Sequence, residues 1–193
     1  NLIRLIKEKK INTIIHAAAI TDLEFAENNK LETFNTNFRL TKTISDISKF
    51  LSLNLIFIST DQLYDRNLGY SKETHKLTFY NYYSYTKYLA EDYIKKNNTK
   101  FWIIRCSFFG WGTNYKKSLF DFIYTNLKKK NVINLWNNIY FNPVYVTELI
   151  DISMKIINYQ KGIYNIGSKT VAKDFRYEDT GALSSVEKLF NKK

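Results

Sequence analysis

Short apolar runs alternate along this chain with stretches whose apolar positions recur every three to four residues. The first pattern suits a buried strand and the second a helix with one face toward a core. Together they predict strands at residues 11–17, 53–60, 101–105 and 162–166, and helices at 22–29, 32–50, 81–97, 115–130 and 146–159. Residues 1–10, apolar at Leu2, Ile3, Leu5 and Ile6, read as the end of a helix. In 115–130 the apolar stripe is Leu119, Phe122, Ile123 and Leu127. Residues 132–136 and 139–141 are candidate short strands, and Gly110 and Gly112 mark 107–114 as a loop. Past Gly167 no period is visible, although Ser184 and Glu187 have the spacing of a capping box. Strands alternating with helices predict βαβ units, hence an α/β fold built on a parallel sheet.

At 193 residues the chain is long enough for one domain with a buried core, and 45% hydrophobic residues fit a globular protein. No apolar stretch approaches the ~20 residues that span a bilayer, and no leader-like segment opens the chain. The expectation is a cytoplasmic protein with no membrane partner. Cys106 is the one cysteine, which excludes an internal disulfide and argues against a cysteine-based zinc site. His16 and His75 are the only imidazoles, so no metal constellation is visible. A net charge of +11 would suit nucleic acid, but the lysines are scattered and fall mostly at predicted helix ends. Nucleic acid is therefore not expected as a partner. An anionic nucleotide would gain from the same field.

Candidate chemistry begins with Asn81-Tyr82-Tyr83-Ser84-Tyr85-Thr86-Lys87. Tyr83 and Lys87 lie one turn apart on one helix face. A neighbouring cation stabilises a phenolate and lowers the phenol's pKa from its usual ~10, which would suit proton exchange with a carbonyl near neutral pH. With 15 Tyr and 29 Lys plus Arg, the spacing alone is weak. Ser59 and Thr60 add to it, because they end an apolar run that suits a buried parallel strand. Ligands in open α/β sheets bind at the carboxyl ends of such strands. Ala17, Ala18 and Ala19 end another strand, where small side chains let a flat ligand approach the backbone.

In these segments the chain resembles the extended short-chain dehydrogenase/reductase family, closest to its dTDP-4-dehydrorhamnose reductase branch. The matching residues are Ile15-His16-Ala17-Ala18-Ala19-Ile20-Thr21-Asp22, Ile58-Ser59-Thr60-Asp61-Gln62-Leu63-Tyr64-Asp65, the Tyr83/Lys87 helix through Glu91, Ile104-Arg105-Cys106-Ser107-Phe108-Phe109-Gly110 and Phe141-Asn142-Pro143-Val144-Tyr145-Val146. The resemblance implies a Rossmann-like doubly wound parallel sheet with a small C-terminal substrate-binding part. Residues 1–110 would be the C-terminal portion of the nucleotide-binding domain, and 111–193 substrate-binding elements mixed with late Rossmann elements. It also implies reduction of a 4-keto nucleotide-sugar by NADPH or NADH.

On that resemblance Thr60, Tyr83 and Lys87 are the catalytic set, and Ala17, Ala18, Ala19, Tyr83, Lys87 and Ser107 touch the cofactor. Asp61, Phe108, Asn114 and Asn142 would meet the substrate. Relatives that dehydrate their sugar carry an acidic residue where Gln62 stands, which counts against dehydration. Many members of the branch have Trp where Phe108 stands. No Gly-x-x-Gly-x-x-Gly or Gly-x-Gly-x-x-Gly string occurs here, so the chain is expected to be a fragment without the family's first βα units and inactive by itself. Two other readings stay open, a nucleotide-sugar epimerase that retains its NAD and a non-catalytic binding relative. Homodimerisation stays open as well.

Overall fold

The apolar runs at 53–60 and 101–105 become the two inner strands of a four-stranded parallel sheet. The computed structural model describes residues 2–65, 71–112, 117–133 and 142–167. In chain order the elements are α1 (Leu2–Glu8), β1 (Thr13–His16), α2 (Leu23–Asn28), α3 (Lys30–Phe34), a π-helical turn (Asn35–Arg39) and α4 (Leu40–Phe50). There follow β2 (Asn54–Ile58), α5 (Tyr82–Asn97), β3 (Phe101–Arg105), β4 (Phe108–Phe109) and α6 (Leu119–Lys128). Last come β5 (Val144–Tyr145), α7 (Val146–Lys155), a 3₁₀ turn (Ile156–Asn158) and β6 (Gly162–Asn165).

The chain divides into two units: Asn1–Cys106 with Leu149–Ile166, and Ser107–Glu148 with Gly167–Lys193. In the first unit the sheet order is β1-β2-β3-β6, with every neighbouring pair parallel. Side chains alternate between the faces of a strand. Leu55 and Phe57 of β2 and Ile103 of β3 pack with Ala90 and Ile94 of α5 into a fully buried cluster, flanked by Ile14, Ile44, Phe101 and Ile163. Ile56 and Ile104, on the opposite face by alternation, are buried too. Burial on both faces is what a parallel strand's continuous apolar run requires.

Helix α4 brings Ile44 toward the cluster that holds Ala90 and Ile94 of α5, and its buried face also carries small hydroxyl residues. Thr41, Ser45 and Ser48 are all buried. Thr41 and Ser48 donate back to the carbonyls of Asn37 and Ile44, and Ser45 bonds the Asn98 amide, so no hydroxyl of the three is stranded. The expected continuous helix at 32–50 is interrupted by the π-helical turn, which displaces one register of backbone bonds and is a feature frequent at functional sites. With few glycines available, α1, α4 and α6 are closed by non-glycine residues in the left-handed region: Lys10, Ser52 and Lys130. Each is followed by a residue whose N–H reaches back to a carbonyl of the last turn, from Ile11 to Ile6, Leu53 to Ser48 and Asn131 to Asn126.

In the second unit β4 and β5 form a short parallel pair, Phe108 with Val144 and Phe109 with Tyr145. Phe108 and Phe109 fall in the stretch read from the sequence as loop; two-residue strands are too short to leave a period. Helix α6 starts at a full capping box, in which Ser118 and Asp121 bond each other's backbone. Phe109, Phe120, Trp111 and Tyr124 pack ring to ring, with centroids 4.8–6.3 Å apart. Of the expected strand at 132–136 only Val132 and Ile133 are described, and neither is in a strand. Residues 139–141 and the Ser184/Glu187 pair lie outside the described residues. Among the described residues no helix is long and apolar enough to cross a membrane.

Candidate active site

Helix α5 is positioned at its start by Asn81, whose extended backbone and side-chain oxygen cap the Ser84 N–H at 2.7 Å. The face it turns inward is Tyr83, Ser84, Thr86, Lys87, Ala90, Glu91 and Ile94. Four of those seven, Ser84, Thr86, Lys87 and Glu91, are polar. They are buried because α5 lies over the carboxyl half of the sheet, where β2 ends in Ser59 and Thr60, both nearly inaccessible.

Thr60, Tyr83 and Lys87 come together in the first unit. Lys87 is 2% exposed, donates to the Ile58 carbonyl at 2.7 Å and stands 4.0 Å over the Phe57 ring. That is its one hydrogen bond among the described residues, so two of its three N–H donors have no protein acceptor there. Thr60 sits beside Tyr83 and pulls the phenol's pKa down, while its hydroxyl donates to Asp61 Oδ1 at 3.5 Å and accepts the Gln62 N–H. Asp61 is largely enclosed, and burial raises its carboxyl above the usual range.

The titration of Tyr83 runs opposite to the sequence expectation. Burial pushes the phenol up to about 12, with Thr60 opposing and the Asp61 and Cys106 charges adding. Burial likewise drags Lys87 down to about 7, with Glu91 and Cys106 pulling the other way. Both shifts have one cause: the enclosed site disfavours phenolate and ammonium alike. The lysine therefore does not hold a phenolate in place at rest. Tyr83 stays protonated at neutral pH, the state a proton donor requires.

Ala17 and Ala18 are exposed and Ala19 half-buried, immediately past the carboxyl end of β1 and beside that of β2. His16 is buried at the strand end, with Nε2 2.8 Å from Thr41 Oγ1 and its pKa lowered to about 4 by burial and then by Lys87. It is a neutral packed residue whose partner comes from α4, too far along the chain for spacing to reveal. Ser107, Phe108 and Asn142 lie in the second unit. There Ser107 accepts the Val144 N–H at 3.0 Å, and Phe108 is half exposed. Asn142 lies against Gly167 so closely that a Cβ at Gly167 would come within 2.6 Å of its amide nitrogen. Asn114 lies outside the described residues.

Two sets of residues around the site went unread in the sequence. Asn37, on the π-helical turn, accepts the Ile20 N–H at 2.8 Å, donates to the Ile20 carbonyl at 3.0 Å and to Thr86 Oγ1 at 3.1 Å. It ties the segment after the alanines to the Tyr83 helix. Glu91 takes Arg105 in a buried ion pair, with N···O distances of 2.6–3.2 Å, and accepts from Ser59. Arg105 also donates to the Tyr64 hydroxyl at 2.7 Å, which donates to Asn165 at 2.8 Å. The available signal was Glu91's place four residues beyond Lys87, on the same stripe.

Residues 1–179 match the family described as RmlD substrate binding domain. The chain belongs to that family. Among solved structures similar to it is a dTDP-4-dehydrorhamnose reductase from Bacillus anthracis str. Ames in complex with NADP, at 23% identity and a TM-score of 0.80 over 88% of this chain and 60% of that one. A second, a dTDP-4-dehydrorhamnose reductase ortholog from Clostridium acetobutylicum ATCC 824, matches at 22% identity and 0.77, with the same coverage. MoeE5 in complex with UDP-glucose and NAD matches at 17% identity and 0.75, over 89% of this chain and 60% of that one. No curated protein matches. The chain thus has a Rossmann-like α/β fold, with a parallel sheet of four strands among the described residues, and spans about 60% of the length of these solved structures.

Proposed function

We propose that this RmlD-family chain supplies the acid–base centre of an NAD(P)H-dependent reductase acting on a 4-keto nucleotide-sugar. The observation that carries the reading is the convergence of Thr60, Tyr83 and Lys87 at the carboxyl end of β2, with the phenol held protonated and the ammonium left with spare donors. Because the chain spans only part of its structural relatives, the activity belongs to the whole protein.

The residues present fit one part of a nicotinamide cofactor. Two unassigned Lys87 N–H donors suit vicinal sugar hydroxyls, and the small side chains Ala17, Ala18 and Ala19 leave the strand end open to a flat group. When bound, the cofactor supplies the hydride. As negative charge develops on the substrate's carbonyl oxygen, the Thr60 hydroxyl donates to it. Tyr83 transfers its phenolic proton to the same oxygen. The phenolate this leaves is stabilised by the Lys87 ammonium one turn away, whose charge acts when it is needed rather than in the resting site.

Tyr83→Phe, made in the whole protein, tests the assignment. It should lower turnover of a 4-keto nucleotide-sugar by ~10²–10⁴-fold. Cofactor affinity should hold, because only the transferable proton is lost. Retention of more than about a tenth of the rate would remove Tyr83 from the acid role. Lys87→Met should weaken both rate and cofactor binding; an unchanged cofactor dissociation constant would leave Lys87 with charge stabilisation alone.

A further inference from the structure

Glu91 is fully buried, belongs to neither the acid–base trio nor the core cluster around α5, and joins its helix to two other parts of the fold. Its carboxylate holds Ser59 Oγ at 2.5 Å and the Arg105 guanidinium at 2.6 Å. Ser59 is the residue immediately before Thr60, and Lys87 lies one turn before Glu91 on the same stripe of α5. We propose that Glu91 is a positioning residue for the reaction, fixing the strand end that presents Thr60 and supplying the negative charge that faces Lys87. The inference rests on the acid–base roles given to Thr60 and Lys87 above.

The geometry favours a role beyond stability. A guanidinium alone would satisfy the carboxylate, yet Glu91 also receives the Ser59 hydroxyl and so links α5 to β2 where the trio assembles. The titratable groups facing Lys87 come from three elements: Glu91 from its own helix, His16 from β1 and Cys106 from the residue after β3. Burial holds His16 neutral at physiological pH, with its pKa near 4, and pushes the Cys106 thiol up to about 12. Tyr83, one turn before Lys87, is neutral for the same reason, and Asp61 faces Tyr83 and Cys106. Arg105 on β3 carries the opposing charge that pairs with Glu91. Among these described groups Glu91 is the negative charge that favours the Lys87 ammonium against its burial.

The test compares Glu91→Gln with Ser59→Ala in the whole protein. Glutamine keeps the size and an acceptor for Ser59 and removes the charge; alanine keeps the ion pair and frees the strand end. In Glu91→Gln the alkaline limb of the kcat/KM profile, where Lys87 loses its proton, should move to lower pH by about one unit. In Ser59→Ala that limb should stay in place while kcat falls several-fold at unchanged cofactor affinity. A Glu91→Gln limb coincident with wild type, or a Ser59→Ala kcat equal to wild type, overturns the proposal.

Should Glu91→Gln fail to fold with its guanidinium unpaired, Glu91→Gln/Arg105→Gln removes both charges and should move the limb in the same direction by less. The Lys87 Cε resonance, assigned by its loss in Lys87→Met, reads the same charge by carbon-13 NMR without turnover. Absence of wild-type turnover would remove the proposed function and leave this titration to decide. An Lys87 midpoint that does not move in the charge-removing variant sinks the role of Glu91.

Discussion

Two buried polar clusters share the inner face of α5, and they are satisfied in opposite ways. Around Glu91 every strong group has a partner: the carboxylate meets Arg105 and Ser59, the guanidinium meets Glu91 and Tyr64, and Tyr64 passes on to Asn165. One turn earlier, Lys87 has one hydrogen bond among the described residues, and two turns earlier Tyr83 is enclosed with only Thr60 pulling its proton off. The first cluster is a closed circuit that joins α5, β2, β3 and β6. The second keeps titratable groups displaced from their ordinary values, with donors to spare. Buried charge with complete partners fixes a framework, whereas buried charge with spare capacity stores chemistry.

The largest effect should come from opening the closed cluster. Glu91→Ala leaves the Arg105 guanidinium buried and unpaired and should cost ~3–5 kcal/mol in urea denaturation. The paired replacement Glu91→Leu/Arg105→Met should recover most of that loss, because breaking such a pair costs more than removing it whole. Equal losses in the two variants would show that the cluster matters through packing rather than charge.

The open cluster predicts the reverse sign. Lys87 has a folded pKa of about 7 against an ordinary 10.5. Below about 7 both states hold the proton and the burial cost is present in full. Between about 7 and 10.5 the unfolded chain binds a proton that the folded one has released, so wild-type stability should rise with pH across that window. Lys87→Met should therefore stabilise the fold by on the order of a few kcal/mol at pH 6. The gain should shrink toward pH 10. A gain independent of pH would assign it to the new methyl group and not to the lost charge.

His16 sharpens the same contrast on the acid side with a smaller effect. Its folded pKa of about 4 lies below the ordinary 6.5, so stability should fall as pH drops through that interval. His16→Gln should flatten this slope in thermal melts recorded from pH 7 to pH 4.

The smallest effect belongs to the cap that serves both clusters. Asn81→Ala should cost about 1 kcal/mol. Fraying starts at the end of a helix, so amide exchange should quicken at Tyr83 to Lys87 before it does at Glu91 to Ile94. Uniform quickening along α5 would mean that the two clusters open as one.

The sequence by itself determined the α/β alternation, since strand and helix periods are local and survive in the order of apolar residues. It also placed Ser59 and Thr60 at a strand end and put Tyr83 and Lys87 on one face of a helix, because that face follows from spacing alone. It did not reveal what Glu91 meets: one turn past Lys87 it looks like a solvent position until Arg105 and Ser59 are packed against it. Only the tertiary structure decided that Glu91 meets Arg105 and Ser59, that Asn37 clamps Ile20 to Thr86, and that Phe108 and Phe109 pair with Val144 and Tyr145. These contacts join residues from separate elements, and no local period records them. The direction of the Tyr83 shift was decided there too, because a pKa depends on how much water the fold leaves around a group as well as on which neighbours the sequence supplies.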